Sequence, residues 1–199
     1  MRRFLLKSLA AAVFALSSSV AFAQNNDFDP KNILNLEIAG EANGVVQILL
    51  RPDIAPLHVE RIKELTRSGA YDGVAFHRVI EGFMAQTGDV QYGLAETYQP
   101  GNAGRGASDL PNIPAEFSDL AFDTGVLGMA RSQDPNSANA QFFIMFTRYP
   151  SLDGQYTVFG RVVEGMDIVQ AIKRGDQRAN GAVDIDPDYI ARAWISADN

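Results

Sequence analysis

One block near the middle of the chain combines residue types that suit a binding surface. The block runs Phe76-His77-Arg78-Val79-Ile80-Glu81-Gly82-Phe83-Met84-Ala85-Gln86-Thr87-Gly88-Asp89. In an extended strand the side chains alternate between two faces, so Phe76, Arg78 and Ile80 share one face. A second strand places Met84 and Gln86 together, with Phe83 at its start. These residues predict a concave surface that carries a cation, apolar side chains and an amide.

The residues that the chain lacks exclude most covalent chemistry. There is no Cys, and the two His, His58 and His77, are too few for a His-rich metal site. The sequence has no G-x-S-x-G elbow, no Walker loop and no dinucleotide fingerprint. We therefore expect an activity that needs no covalent intermediate, no metal and no cofactor. We expect His77, on the opposite strand face from Arg78, to satisfy buried backbone groups, and His58 to pack or lie at the surface of a helix.

The N-terminus reads as a cleavable export signal over residues 1–23. Arg2, Arg3 and Lys7 accompany an apolar run over residues 4–16, which leads to Ala21-Phe22-Ala23. This is the pattern of a secretory signal peptide with an A-x-A cleavage site, and the run is too short for a membrane span. We expect a periplasmic protein, exported by the general secretory route rather than the twin-arginine route. The polar residues 24–31 predict a disordered lead-in to one domain over residues 32–199.

The charge of the predicted mature protein excludes a general nucleic-acid surface. The full chain has a formal net charge of −7, and removal of the signal, which holds three cations and no acid, takes it to −10. Affinity for nucleic acid depends on clustered Lys and Arg, so we exclude that class of partner. No later apolar stretch approaches the length of a membrane helix. We expect a soluble monomer without a membrane partner.

The rest of the chain predicts many short strands and two helices. Strand-like segments occur at 33–38, 45–50, 74–80, 83–87, 126–130, 141–146, 157–163 and 190–196. Amphipathic helices are predicted from Pro56 to a stop at Ser68-Gly69, and over 166–173. Residues 90–114 form a long loop rich in Gly and Pro, and residues 184–188 read as a solvated acidic loop. This composition favours a mainly β fold, a closed or nearly closed barrel whose open ends the helices cover.

Several ordered motifs resemble one known family, the cyclophilins, which are peptidyl-prolyl cis-trans isomerases. Besides the block at 76–86, the chain carries Gly128-Met129-Ala130, Asn139-Ala140-Gln141-Phe142-Phe143-Ile144, Leu152-Asp153-Gly154 and Val158-Phe159-Gly160-Arg161-Val162. Together these motifs cover most of residues 33–195. The resemblance implies a closed eight-stranded antiparallel barrel capped by two α-helices. It also implies an enzyme that acts on proline-containing polypeptides, which in an exported protein means assistance to the folding of other exported chains.

The same resemblance implies a role for each residue of the site. Arg78 is the implied catalytic residue. The implied substrate-binding residues are Phe83, Met84, Phe143 and Leu152 as walls of a proline pocket, Gln86, Ala130, Arg131 and Gln141 as polar and backbone contacts, and Tyr156 where many members have His. Ser151 stands where relatives commonly have Trp or Phe, so one aromatic wall is absent. We expect weak binding of the cyclic peptide cyclosporin as a result.

Other interpretations of these residues stay open at this point. Arg78 is also compatible with a structural ion pair in an acidic protein, and the apolar residues with an ordinary core. Gln86 and Gln141 are compatible with satisfying buried backbone groups. For the protein as a whole, the alternative is a catalytically weak polypeptide-binding chaperone that uses the same groove. Such a module would bind peptides without changing the rate of cis/trans exchange.

Overall fold

The computed structural model describes residues 28–199. The predicted signal peptide, residues 1–23, and residues 24–27 of the predicted lead-in lie outside this range. The chain enters the fold through a 3-10 turn, Pro30–Asn32, in which the Asp29 carboxylate accepts a hydrogen bond from the backbone N–H of Lys31. Within residues 28–199, no helix is both long enough and apolar enough to cross a membrane.

The described chain folds into one antiparallel sheet of nine strands with two α-helices, which confirms the mainly β prediction. The strands are β1 (Ile33–Ala39), β2 (Gly44–Leu50), β3 (Val74–Ala75), β4 (Arg78–Ile80), β5 (Met84–Thr87), β6 (Val126–Met129), β7 (Phe142–Met145), β8 (Val158–Glu164) and β9 (Tyr189–Ile195). The helices are α1 (Pro56–Arg67) and α2 (Met166–Ala171). The order of strands across the sheet is β3-β9-β1-β2-β8-β6-β7-β5-β4.

The prediction of a closed eight-stranded barrel is wrong, because the sheet is an open half-barrel of nine strands. The segment predicted as one strand over 74–80 is interrupted at Phe76 and His77. Its first part, β3, pairs with β9, and its second part, β4, pairs with β5. These two short strands are the opposite edges of the sheet, so the ladder of hydrogen bonds does not close between them. The interruption also separates Phe76, which packs in the main core, from the face that carries Arg78.

The predicted β1–β2 hairpin and the first predicted helix are confirmed. β1 and β2 pair in antiparallel register from Ile33 opposite Leu49. Helix α1 has Pro56 at its first turn, where the missing N–H costs no hydrogen bond. The helix has no cap of its own; instead the Glu116 carboxylate accepts hydrogen bonds from the backbone N–H of Leu57 and His58, each at 3.1 Å. Glu116 comes from the distant loop before β6.

Two clusters of buried apolar residues hold the sheet and helices together. The larger cluster includes Leu34, Ile48 and Phe159 from the sheet and Val59 and Ile62 from α1. The smaller cluster consists of Met84, Phe122, Phe143, Met145 and Val158, and it lies on the sheet face that β4, β5, β6 and β7 present. Part of the smaller cluster borders a recess at the protein surface. This recess is the feature that the fold positions for function.

Candidate functional site

The recess has a volume of about 190 Å³ and gathers nine of the ten residues that the sequence singles out. Its lining residues are Arg78, Phe83, Met84, Gln86, Ala130, Arg131, Phe143, Leu152 and Tyr156. The tenth residue, Gln141, lines an adjoining cavity of about 450 Å³. The two cavities share Gln86, Ala130 and Arg131, so they form one continuous surface. We call the smaller cavity the recess and the larger one the side cavity.

Strand register explains why residues so far apart in sequence meet here. Arg78 on β4 lies directly opposite Gln86 on β5, and Gln86 lies opposite Phe143 on β7. Phe143 in turn lies opposite Gly128 on β6. Directly opposite residues project to the same side of an antiparallel sheet, so these four form one row across four strands. The row carries the cation, the amide and an aromatic wall, and it ends at a residue without a side chain.

Phe143 is both a core residue and a wall of the recess. It is only 5% exposed and stacks on Phe122 with ring centroids 5.7 Å apart. Tyr156 meets it edge to face at 5.8 Å. Gly128 makes room for both phenyl rings, because a Cβ atom at that position would lie 2.3 Å from Phe143 Cζ and 2.6 Å from Phe122 Cε1. The apolar wall is therefore rigidly packed from behind.

The guanidinium of Arg78 is held on both of its edges. Its Nη1 donates to Gln86 Oε1 at 3.1 Å, and its Nε donates to the backbone oxygen of Asn180 at 3.0 Å. Its Nη2 donates to Oδ1 of the same Asn180, also at 3.0 Å. Partial burial lowers the pKa of Arg78, but an arginine stays protonated at any pH at which proteins are folded. The site thus contains a positive charge whose position is fixed by hydrogen bonds from Nε, Nη1 and Nη2.

Gln86 is itself oriented by a chain of hydrogen bonds. Its Nε2 donates to Gln141 Oε1 at 3.0 Å, and Gln141 Nε2 donates to the backbone oxygen of Gly106 at 2.8 Å. The loop that contains Gly106 is held by the fully buried Asp89, whose carboxylate accepts from the backbone N–H of Gly104 and Gly106. These bonds fix the amide of Gln86 so that its oxygen, and not its nitrogen, faces Arg78.

Arg131 lies between the recess and the side cavity. Its guanidinium carbon is 4.4 Å from the centre of the Tyr156 ring, and its Nη2 donates to the backbone oxygen of Gln155. The backbone N–H of Ala130 donates to Gln141 O at 2.9 Å. Arg131 therefore packs its side chain over Tyr156 and lines both cavities.

The two histidines are both buried. His58 takes the packing alternative expected for it, fully buried with its Nδ1 2.6 Å from Glu116 Oε2. Burial lowers its pKa, and the neighbouring carboxylate opposes that effect. His77 is 5% exposed and lies under Gly104, and neither of its ring nitrogens has a hydrogen-bond partner in residues 28–199. The expectation that His77 satisfies buried backbone groups is not confirmed by a hydrogen bond of normal geometry, although the backbone of Ala75 and the side chain of Gln141 lie close to the ring. Burial lowers the pKa of His77 to about 4, although the charge of Asp89 opposes the shift.

Sequence reasoning missed Asn180 and Tyr149. Asn180 belongs to a polar loop and gives no signal beyond an Asn-Gly turn. Tyr149 packs against the outer side of Phe83 with ring centroids 4.4 Å apart and is 41% exposed. It lies two residues before Ser151, which is exposed and does not line the recess. Residue 151 therefore contributes no wall to the recess, and Tyr149 supports Phe83 from outside.

Comparisons with known proteins identify the family to which the chain belongs. Residues 33–193 match the family model described as cyclophilin type peptidyl-prolyl cis-trans isomerase. A probable peptidyl-prolyl cis-trans isomerase of Brucella suis is 53% identical over 196 residues, which is 98% of each chain. An Arabidopsis thaliana peptidyl-prolyl cis-trans isomerase, CYP23, is 36% identical over 69% of this chain and 60% of its own.

Solved structures with the same fold include two cyclophilins. The crystal structure of cyclophilin AquaCyp293 from Hirschia baltica superposes with a TM-score of 0.70 at 28% identity, over 86% of this chain and 76% of the other. A Cryptosporidium parvum cyclophilin type peptidyl-prolyl cis-trans isomerase, crystallised in the presence of the dipeptide Ala-Pro, gives 0.68 at 26% identity, over 82% and 98%. The chain described here belongs to the cyclophilin family of peptidyl-prolyl cis-trans isomerases.

Proposed function

We propose that Arg78 is the catalytic residue of this isomerase and that the recess beside it holds the proline ring of the substrate. One observation carries the proposal: a guanidinium fixed on both edges borders a small recess with apolar walls. Phe83, Met84 and Phe143 provide most of those walls. A pyrrolidine ring is apolar and compact, so it suits such a recess better than a polar side chain does.

The chemistry of the reaction explains why these residues suffice. Amide resonance keeps an X-Pro bond planar and creates a barrier of about 18–20 kcal/mol to its rotation. At the top of the barrier the nitrogen lone pair is no longer conjugated with the carbonyl, so the prolyl nitrogen becomes a hydrogen-bond acceptor. A donor aimed at that nitrogen binds the twisted state better than either planar state, which is the condition for catalysis.

The donors of Arg78 can be counted. A guanidinium has five N–H groups, and three of them are engaged with Gln86 and Asn180. Within residues 28–199, one N–H of Nη2 is left without an oxygen acceptor, and the second N–H of Nη1 has only a 4.0 Å contact with Met84 Sδ in the wall of the recess. Because Arg78 lines the recess, these two are the donors available to a prolyl nitrogen held there. No proton has to be transferred, so the reaction requires neither a base nor a cofactor.

The polar residues around the recess bind the peptide backbone of the substrate. Gln86 uses one amide N–H for Gln141 and keeps the other for a substrate carbonyl. Ala130 and Arg131 line both cavities, and we infer that their main chain clamps the residues next to proline. While these contacts and the recess hold one side of the X-Pro bond, the other side is free to rotate.

The test is an NMR exchange measurement on several X-Ala-Pro-X peptides. We expect the wild type to accelerate cis/trans exchange and Arg78→Ala to lose about a hundredfold or more of kcat/KM, as when an electrostatic donor is removed from an active site. Arg161→Ala is the matched control, because Arg161 is exposed on β8 and lies outside the recess. Full activity of Arg78→Ala would remove Arg78 from the mechanism. Binding by the wild type without acceleration would instead support the chaperone alternative.

We also propose that the substrates are exported proteins that fold in the periplasm. The support is the signal-like sequence of residues 1–23, which ends in Ala21-Phe22-Ala23. Cell fractionation with N-terminal sequencing tests this part separately from the chemistry. We expect the protein in the periplasmic fraction with Gln24 as its first residue. A cytoplasmic protein that retains Met1 would contradict the export proposal and leave the isomerase activity untouched.

A further inference from the structure

We propose that Asn180 is a positioning residue for Arg78, and that its left-handed backbone conformation is what allows it to hold the guanidinium. The inference rests on the proposed catalytic role of Arg78. Asn180 lies in the loop between α2 and β9, about a hundred residues after Arg78. In residues 28–199, the Arg78 guanidinium donates three hydrogen bonds to oxygen atoms. Two of the three go to Asn180.

The geometry of the contact depends on the conformation of Asn180. Nε and Nη2 lie on one edge of the planar guanidinium, and paired acceptors on that edge fix both its position and its plane. Here one residue supplies both acceptors, its backbone oxygen and its Oδ1. Asn180 has φ 55° and ψ 35°, a left-handed conformation that Asn tolerates better than other residues with a Cβ. A different backbone conformation at this position would turn the two oxygens away from a common edge.

The surrounding loop holds Asn180 at a fixed place relative to β4. The backbone N–H of Gly181 donates to Asp176 O at 2.8 Å, which closes the loop on itself. The backbone oxygen of Gly181 accepts from the N–H of Val79 at 2.7 Å, so the loop is bonded to the residue next to Arg78. A Cβ at Gly181 would lie 2.3 Å from Ile80 Cγ1, which shows how closely the loop and β4 approach.

The consequence is a donor that is oriented before the substrate arrives. Gln86 holds Nη1, and Asn180 holds Nε and Nη2, so the two N–H groups that these residues do not use keep fixed directions. Preorganised donors stabilise a transition state without any reorganisation at the moment of reaction. Asn180 does not line the recess, so it can act on the reaction only through Arg78.

Two variants separate the side-chain contact from the backbone conformation. Asn180→Gly removes only the Oδ1 contact, because Gly adopts the left-handed conformation at no steric cost. Asn180→Ala removes the same contact and also disfavours that conformation. The matched control is Asp186→Gly, since Asp186 is the other non-Gly residue with positive φ in residues 28–199 and has no contact with Arg78.

We expect kcat to fall roughly fivefold in Asn180→Gly and more in Asn180→Ala, where tenfold corresponds to about 1.4 kcal/mol. The KM for the peptide should stay within about twofold, because the walls of the recess are untouched. The unfolding temperature of Asn180→Gly should stay within about 3 °C of the wild type, since Gly relieves backbone strain. Loss of activity without loss of stability is an outcome that a merely structural residue would not produce.

The resonance of the Arg78 Nε–H group provides a readout that does not depend on activity. It is identified as the arginine side-chain signal that disappears in Arg78→Lys. We expect it to stay near its wild-type position in Asp186→Gly and to shift in Asn180→Ala. If Arg78→Ala is inactive while both Asn180 variants keep the wild-type kcat, the inference about Asn180 is overturned and the role of Arg78 stands. If Arg78→Ala is fully active, the proposed mechanism itself fails.

Discussion

Gly128 controls the space that is left for a substrate, and Gly128→Ala is the sharpest test of the recess. A Cβ at this position would lie 2.3 Å from Phe143 Cζ and 2.6 Å from Phe122 Cε1. Carbon atoms in contact are ordinarily about 3.5–4.0 Å apart, so the Phe143 ring has to retreat by about 1.2 Å or more. Phe122 stacks on that ring from behind, and the recess adjoins its other side. The ring therefore moves toward the recess.

The expected loss of stability in Gly128→Ala follows from how tightly Phe143 and Phe122 pack around this position. Adding one methylene to a well-packed core typically costs about 1–3 kcal/mol. For a domain of this size, a loss of 1 kcal/mol lowers the unfolding temperature by about 2–4 °C, so we expect a drop of about 2–12 °C. Because the recess measures only about 190 Å³, a shift of its aromatic wall should impair substrate binding as well. We expect kcat/KM to fall at least roughly tenfold, mainly through KM.

The assay compares Gly128→Ala with a Gly→Ala change in open space. Gly101 has no atom within 4 Å of an added Cβ and its φ is not in the left-handed range, so Gly101→Ala is the matched control. Both variants are measured by thermal unfolding and by NMR exchange on the same proline peptides. Wild-type values of both quantities in Gly128→Ala would refute the reasoning, because they would mean that Phe143 does not need the space that Gly128 leaves.

Three further predictions test other parts of the molecule. Burial lowers the pKa of His77 from 6.5 to about 4, so between these values the unfolded chain binds a proton that the folded protein does not. The free energy of unfolding should therefore be highest above pH 6.5 and fall by about 3 kcal/mol between pH 7 and pH 4. Urea titrations should show a smaller fall in His77→Gln. Glu116→Ala removes the acceptors at the start of α1 and the partner of His58, and should lower the free energy of unfolding by about 2 kcal/mol in the same titrations. Ser151→Trp should raise the affinity for cyclosporin roughly tenfold through added aromatic contact, measured as a change in fluorescence over that of Trp194, the one Trp of the wild type.

Local patterns predicted most of the elements and failed where distant segments decide the structure. The hairpin, α1 and the strands at 126–130, 141–146, 157–163 and 190–196 lie within a few residues of their predicted bounds. The predicted strand at 74–80 divides into β3 and β4, because its two parts pair with β9 and β5. Nothing within the segment signals the break, since it contains neither Gly nor Pro. The number of strands and the open edges of the sheet could therefore not be read from this stretch alone.

In the candidate site, too, local sequence motifs predicted some residues, while residues that act through distant contacts were missed. Motif resemblance found every residue that lines the recess, because those residues lie in compact blocks of sequence. It missed Asn180, whose importance comes only from its contact with a residue about a hundred positions away. The interpretation of residues 184–188 as a solvated acidic loop, which rests on turn chemistry, is wrong for Asp188. Asp188 is 1% exposed and accepts hydrogen bonds from the backbone N–H groups of Ala42 and Lys173, so it joins two loops inside the protein.

The placement of β3 against β9 has a consequence for the biosynthesis of the enzyme. β3 pairs with residues 189 and 190, and Arg78 is held by residue 180, so both depend on the last fifth of the chain. A nascent chain that has not yet emerged to this point lacks the contacts that orient its guanidinium. Folds that rely on such distant pairings also form slowly compared with those built from local contacts. We therefore expect the Arg78 guanidinium to be oriented only in chains that extend past residue 190.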